Sequence, residues 1–482
     1  MFATHIDQAI HNADWQQNTL SDGAMTCTYQ EIPALFGVIA DFLAEHQVQP
    51  EDCIAIEGVN SVPAALILLY LLKQGYSFVL YPPMQKQGKE LAVRPPIPDF
   101  CRYRLIIEPA SDNTVPFSSE LLEQISSFES NENFNAALAS QGFADQKLYL
   151  RTSGSMGAAK IVVHNHQNFV GNVQNCIERH KFTAQDNVFI PVPIFHLYGL
   201  GAVFLPAILT GANIRLQAQS NILKFMQAER SFNPTVIFVT PTLCEMMVKG
   251  LRSERNYRLV VTSGDRIKPE LFREFDAKFS GLVNQYGSTE MGATAASEPS
   301  DTLEDRVITM GKPMAGVEIK IDEENTPQDD SGERIGELYC KHPYGFERYI
   351  NEHGEEIATA PEYYRSGDLV KIHENGDIEV IGRADNRVNR NGYLVLLSDV
   401  EAALEKMTTV EQAIVLPVSG DDMRGQRIAA FCVSDVEGTQ IRETCFDVLP
   451  QYAIPDEVHV LKTLPMLPSG KVDRQKLTKG QF

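Results

Sequence analysis

From Tyr29 to His46 the apolar residues Ile32, Leu35, Phe36, Ile39, Phe42 and Leu43 recur at the spacing that gathers them on one face of a helix. The short apolar run at 53–57 then reads as a strand. Residues 64–72 (AALILLYLL) are apolar all round, but the run is about half of what a bilayer requires before Lys73, Gln74 and Gly75 interrupt it. It predicts a buried helix and no membrane span. A strand follows at 78–81, closed by Pro82-Pro83, which cannot continue a ladder. Further short apolar runs at 147–151, 187–192, 236–240 and 258–262 each end in turn chemistry or a proline, whereas 84–145 is less periodic and predicts surface helices and loops. Strands alternating with helices argue for an α/β fold.

The acidic stretch 322–333 reads as a hairpin connection. After Gly382 the pattern changes to a helix start at 400–404, strands at 412–417 and 427–434, and a Lys-containing tail. These features predict a large N-terminal region over 1–384, made of mixed β-sheets packed with helices, and a small α+β C-terminal domain over 385–482.

Composition narrows the classes. The 482 residues are 43% hydrophobic and 22% charged, which is ordinary globular material. With 42 Lys+Arg against 63 Asp+Glu the net charge is −21, a poor match to a nucleic-acid backbone, whose affinity comes from Lys and Arg displacing counterions. The cysteines at 27, 53, 101, 176, 244, 340, 432 and 445 form no CxxC pair and read as reduced thiols. The segment from Met1 to Asp7 has no basic start and no apolar core of signal length, so a cytoplasmic location is expected.

Four strings carry chemistry. Thr152-Ser153-Gly154-Ser155-Met156-Gly157-Ala158-Ala159-Lys160 follows the strand at 147–151 and offers hydroxyls, open backbone N–H groups and one ammonium, which suits a polyphosphate. It lacks the Gly-Lys-Ser/Thr succession of a Walker loop, and a plain surface turn is the alternative. In Asn284-Gln285-Tyr286-Gly287-Ser288-Thr289-Glu290, Tyr286 can stack on a base, Thr289 can hold a phosphate and Glu290 suits Mg2+, a hard cation served by one or two carboxylates plus phosphate oxygens. A strand-ending turn with a solvated Glu290 is the other reading. Tyr364-Arg365-Ser366-Gly367-Asp368 precedes Gly382-Arg383-Ala384-Asp385, where Asp368 suits ribose hydroxyls and Arg383 the same nucleotide, or both are ordinary surface groups. Leu467-Pro468-Ser469-Gly470-Lys471 closes the series; a single lysine there is ordinarily just solvated.

In this order and together, the four strings resemble the adenylate-forming superfamily of acyl- and aryl-CoA synthetases, nonribosomal peptide adenylation domains and firefly luciferase. Thr28-Tyr29 and the run from Leu71 to Pro82 also match its early motifs. The resemblance implies that ATP and Mg2+ activate a small-molecule carboxylic acid to an acyl-adenylate, whose acyl group passes to the thiol of coenzyme A or of a carrier protein's phosphopantetheine. It assigns Thr152, Ser153, Gly154, Ser155 and Lys160 to the β- and γ-phosphates, Asn284 and Tyr286 to adenine, Thr289 to the α-phosphate and Glu290 to magnesium. Asp368 and Arg383 fall to the ribose. Lys471 falls to the reacting carboxylate and α-phosphate, and Asp385 to a hinge on which a mobile C-terminal domain turns between half-reactions. Pro193-Ile194-Phe195-His196-Leu197-Tyr198-Gly199 is the acid-side motif; its Phe-His form, without a carboxylate, implies an acid lacking an α-amino group. His196, Val239, Gly264, Gly292 and Ala293 would line the pocket, the last two leaving room for chain or ring.

Some positions depart from the family pattern. Met156 and Ala159 replace the usual Thr and Pro; Asn389 and Leu394 replace the usual Lys and Arg, so either Arg387 or Arg390 substitutes for a phosphate contact in the second half-reaction, or the thiolation conformation differs from the family norm. Two other readings stay open: a stand-alone amino-acid adenylating enzyme that loads a carrier protein, and a nucleotide-binding scaffold without turnover. His164-Asn165-His166 places two imidazoles on one strand face if the strand continues, but no third metal ligand lies nearby.

Overall fold

The computed structural model describes residues 2–81, 86–87, 90–91, 94–110, 116–138, 146–152, 160–218, 222–250, 255–322, 335–384, 387–390, 393–422, 425–466 and 472–480. The chain divides into two compact units. The first takes in Met1–Ile319, Cys340–Tyr364 and His373–Glu379; the second takes in Lys320–Tyr339, Arg365–Ile372 and Val380–Phe482.

Two large mixed sheets make the frame of the first unit. In the nine-stranded sheet the order is Lys312–Pro313, Gly292–Ala296, Leu282–Ser288, Leu259–Thr262, Val236–Val239, Asn187–Ile190, Asn213–Leu216, Thr19–Ser21 and Thr26–Thr28. Its centre, from Leu282–Ser288 to Thr19–Ser21, is parallel. Strands with both faces covered have no polar side to show. Accordingly Val236–Val239 and Leu259–Thr262 are buried at every position. The eight-stranded sheet runs Glu356–Thr359, Arg348–Ile350, Ile161–Asn165, Lys147–Arg151, Ser77–Tyr81, Cys53–Gly58, Cys101–Ile107 and Ser126–Ser130.

The apolar run at 64–72 is the helix Val62–Gln74, buried from Val62 to Leu72, capped by the Ser61 hydroxyl and ended by Gly75 in the left-handed region. Among the described residues no helix is long and apolar enough to cross a membrane. The expectation of helices and loops over 84–145 needs correction at Cys101–Ile107 and Ser126–Ser130, which are sheet strands. Arg102 and Arg104 break the apolar run there, and each finds a carboxylate, Asp52 and Glu129 respectively.

The second unit has a core of its own around Val388, Leu397, Val400, Leu404, Val415 and Ile428. Over it, Val410–Asp422 pairs antiparallel with Gly425–Ser434, which pairs parallel with Glu457–Leu461. The helices Leu397–Glu405 and Gly438–Val448 accompany this sheet. The 322–333 hairpin expected from sequence lies almost wholly outside the described residues.

Candidate active site

The string from Asn284 to Glu290 is the end of a buried parallel strand and the turn after it. Asn284 is buried, and its amide Nδ2 donates to the carbonyls of Arg306 (2.7 Å) and Thr309 (3.2 Å), so this side chain anchors the strand. Gln285 accepts at Oε1 opposite His180 Nε2, 2.7 Å away. Tyr286, next along, is half-buried. At Gly287 the ladder with Gly292–Ala296 shifts register, and a Cβ there would run into the Gly292 carbonyl, so the turn that delivers Thr289 and Glu290 demands glycine. His164 then pins the turn: its Nε2–H donates to the Thr289 carbonyl at 2.7 Å.

The Glu290 carboxylate accepts the Tyr349 hydroxyl at 2.8 Å, and the Glu290 carbonyl accepts the Phe346 N–H, also at 2.8 Å. Over the face of the same Tyr349 ring stands the Lys160 ammonium, 5.3 Å from the centroid. Tyr349 comes from Arg348–Ile350, paired with Ile161–Asn165 so that it lies opposite Val162. The strand beside the Gly/Ser string thus shares one tyrosine with the Tyr286–Glu290 turn. The Thr152 N–H and hydroxyl both reach the Lys160 carbonyl, at 2.9 and 3.3 Å, closing the string at its base. Ser153, Gly154 and Ser155 lie outside the described residues, as do Lys471 and Asp385.

Magnesium fits Glu290: a half-buried carboxylate that accepts a neutral hydroxyl can take a cation that brings phosphate oxygens with it. Among the described residues no group of three or more His, Cys, Asp and Glu could build a metal cage. The His164/His166 pair is not one. The strand stops at Asn165, whose side chain caps the helix His166–His180, and His166 packs edge-on against Phe2 instead.

On the acid side, Asn60 organises the turn that carries His196. Its Nδ2 lies 3.1, 2.9 and 3.2 Å from the carbonyls of Ile190, Val192 and Gln217, and its Oδ1 accepts the Ile194 N–H at 2.9 Å. Phe195 is buried by this turn and His196 is exposed. The motif continues into a π-helix, Tyr198–Phe204, a geometry that often accompanies function. The Tyr198 hydroxyl reaches the carbonyls of Val239 (3.1 Å) and Val261 (2.9 Å), at the ends of adjacent strands. Gly264 opens on space, with nothing within 4 Å of where a Cβ would stand.

Gly292 is different. Its φ of +67° suits glycine, and a Cβ would collide with Asn172, whose amide brackets this residue by donating to the Met291 carbonyl (3.0 Å) and accepting from the Ala293 N–H (3.3 Å). The space expected for a substrate at this glycine is filled by Asn172. His342 holds the neighbour: Nδ1 accepts the Tyr344 N–H at 3.0 Å, so Nε2 carries the proton and donates to the Ala293 carbonyl at 3.0 Å.

In the second unit, Asp368 and Arg383 meet as an ion pair, Oδ1 to Nη1, 3.1 Å. Arg383 also donates to the Ser366 carbonyl at 3.2 Å, and the Asp368 backbone N–H donates to the Ser366 hydroxyl oxygen at 3.0 Å. The structure therefore joins these two residues directly, whereas Lys160 and Glu290 meet only through Tyr349. Arg390 is unavailable as a replacement phosphate ligand. It is fully buried and given to Asp456 (2.7 Å) and the Ile454 carbonyl (2.8 Å).

Sequence reasoning missed Asn60, Asn172, His342 and Tyr349, and it weighed His164 only as half of a metal pair. Each acts through a long-range bond to another segment, and a string of neighbours in sequence carries no sign of that.

The chain matches the model of the AMP-binding enzyme over residues 115–350 and that of the AMP-binding enzyme C-terminal domain over 399–471. It belongs to the AMP-binding enzymes, the adenylate-forming superfamily. It is 26% identical over 476 residues to gramicidin S synthase 2 of Aneurinibacillus migulanus, covering 94% of this chain but only 10% of that protein. To a probable CoA ligase of Humulus lupulus it is 24% identical over 486 residues, covering 94% of this chain and 88% of the relative. The fold is that of o-succinylbenzoate CoA synthetase from Bacillus subtilis, solved with its acyl-adenylate intermediate. The TM-score is 0.77 at 21% identity, over 98% of this chain and 97% of that one.

Proposed function

We propose that this chain is an acid–thiol ligase that activates a carboxylic acid without an α-amino group as its acyl-adenylate and transfers the acyl group to coenzyme A or a phosphopantetheine thiol. The carrying observation is the convergence of Lys160 and Glu290 on Tyr349, which supplies a phosphate-binding cation and a metal-binding carboxylate side by side. In the first step a carboxylate oxygen of the acid attacks the α-phosphorus of ATP and pyrophosphate leaves. In the second, the thiolate sulfur attacks the acyl carbonyl and AMP leaves.

The chain's residues have distinct tasks in the first step. Tyr286 stacks on adenine, Thr289 binds the α-phosphate, and Lys160 with Thr152 and the Ser153–Ser155 backbone holds the outgoing pyrophosphate. Asp368 and Arg383 hold the ribose. Lys471 meets the charge that grows as one anion attacks another, so it stabilises the transition state more than the ground state. Magnesium, when bound at Glu290, neutralises phosphate charge. His196 faces the acid from a turn fixed by Asn60, and Gly264 leaves that side open.

The alternative is an amino-acid adenylating enzyme, favoured by the similarity to gramicidin S synthase 2 along nearly the whole chain. Pyrophosphate exchange over a panel of fatty, aromatic and amino acids separates the readings. Exchange with fatty or aromatic acids, reduced about a hundredfold or more in Lys471→Ala, is expected. Exchange confined to amino acids selects the alternative, and none with any acid leaves a scaffold.

A further inference from the structure

The structure assigns Tyr349 a role as the residue that positions Glu290 for magnesium and Lys160 for phosphate at once. This deepens the proposed ligase reading and rests on its assignment of Glu290 and Lys160.

Tyr349 sends its one hydroxyl proton to Glu290 Oε1 at 2.8 Å. The ring is fixed as well: Phe346 lies 4.8 Å away at 60°, and Phe346 itself meets the Tyr364 ring edge-on at 5.7 Å. Phe346 also binds the Glu290 backbone, so ring and carboxylate are tied to one frame.

Holding one oxygen of Glu290 in a neutral bond leaves the charge on the carboxylate and fixes the direction of its other oxygen. On the ring face Lys160 is held by the aromatic quadrupole without being neutralised. A carboxylate in place of Tyr349 would pair with Lys160 and repel Glu290. A phenol keeps the two opposite charges near each other and stops them from collapsing into an ion pair, so that both remain free for nucleotide and metal. Such preorganisation spares the site from reorganising when MgATP arrives.

The test is the Mg2+ concentration giving half-maximal acid-dependent pyrophosphate exchange by the full chain. In Tyr349→Phe, which keeps the ring for Lys160 and removes the bond to Glu290, this constant should rise about tenfold, the worth of a hydrogen bond to a charged group. The KM for ATP at saturating Mg2+ should stay near wild type. Tyr349→Leu should raise both. Phe346→Leu, which loosens the same packing and leaves the hydroxyl, gives the structural baseline and should leave the Mg2+ constant in place even if the melting temperature falls. A Tyr349→Phe constant equal to wild type, with Glu290→Gln raised, overturns the role of Tyr349 alone. An unchanged constant in Glu290→Gln overturns the metal assignment of Glu290 and the proposal with it.

Discussion

At the scale of single residues, three histidines bear on how the molecule responds to acid. Burial holds His164 at about 4, His166 at about 3 and His180 at about 4, so each is neutral in the folded chain near pH 7. An unfolded histidine titrates near 6.5. Below that pH the unfolded chain takes up protons that the folded chain refuses. The stability these residues contribute is therefore fully present above about 6.5 and is lost progressively as pH falls toward 4. Each costs about 1.4 kcal/mol per pH unit in that window. His164→Gln keeps an N–H for the Thr289 carbonyl and removes one of the three. Denaturant titrations between pH 6.5 and 5 should then show a shallower acid limb by about that slope, with pyrophosphate exchange at pH 7.5 retained. An unaltered limb would mean that His164 takes up a proton while folded. In the sequence these histidines looked like a strand-face pair or unremarkable polar positions. Nothing local told His164 from His166; the Thr289 carbonyl is supplied by a turn more than a hundred positions away.

At the scale of elements, most of the frame was legible because parallel strands covered on both faces advertise themselves as short apolar runs. The Tyr286–Glu290 turn was legible too, since Gly287, Ser288, Thr289 and Glu290 follow one another in a single string. Cys101–Ile107 was not, because its arginines masked a strand whose other positions are largely buried. Nor was the acid-side turn, whose shape depends on one distant amide. Asn60 bonds to Ile190, Val192, Ile194 and Gln217, joining the end of Asn187–Ile190 to the start of the His196 turn. Asn60→Ala would strand those buried groups, at about 1–3 kcal/mol for each one left without a partner. The expected result is a melting temperature lower by several degrees and a KM for the acid raised well beyond that for ATP, because the turn serves the acid side. Equal increases in both constants would show that Asn60 supports the whole unit and not this turn.

At the scale of the whole molecule, the division into two units bears on the order of the two half-reactions. The second unit is not one continuous stretch: it takes in Lys320–Tyr339 and Arg365–Ile372 as well as the chain from Val380 onward. Asp368 and Arg383, the proposed ribose ligands, fall in it together, while Glu290 and Lys160 belong to the first. An enzyme that must first join an anion to a nucleotide and then admit a thiol gains by separating the two steps in time, and gating by a domain does so. We propose residue 385 as the pivot, where the string from Gly382 gives way to the paired strands Arg387–Arg390 and Tyr393–Leu396. A proline at 385 fixes φ and removes the N–H without touching any group assigned to ATP or acid. Asp385→Pro should therefore keep pyrophosphate exchange within a few-fold of wild type and lose thioester formation almost entirely, as measured with one acid and coenzyme A in parallel assays. Arg390, sealed by Asp456 and Ile454, supports the fold of the second unit and cannot compensate by reaching a phosphate. If both half-reactions fall equally, the substitution has damaged the adenylation site and the pivot must be sought elsewhere. If both survive, thiol transfer needs no rotation about this residue.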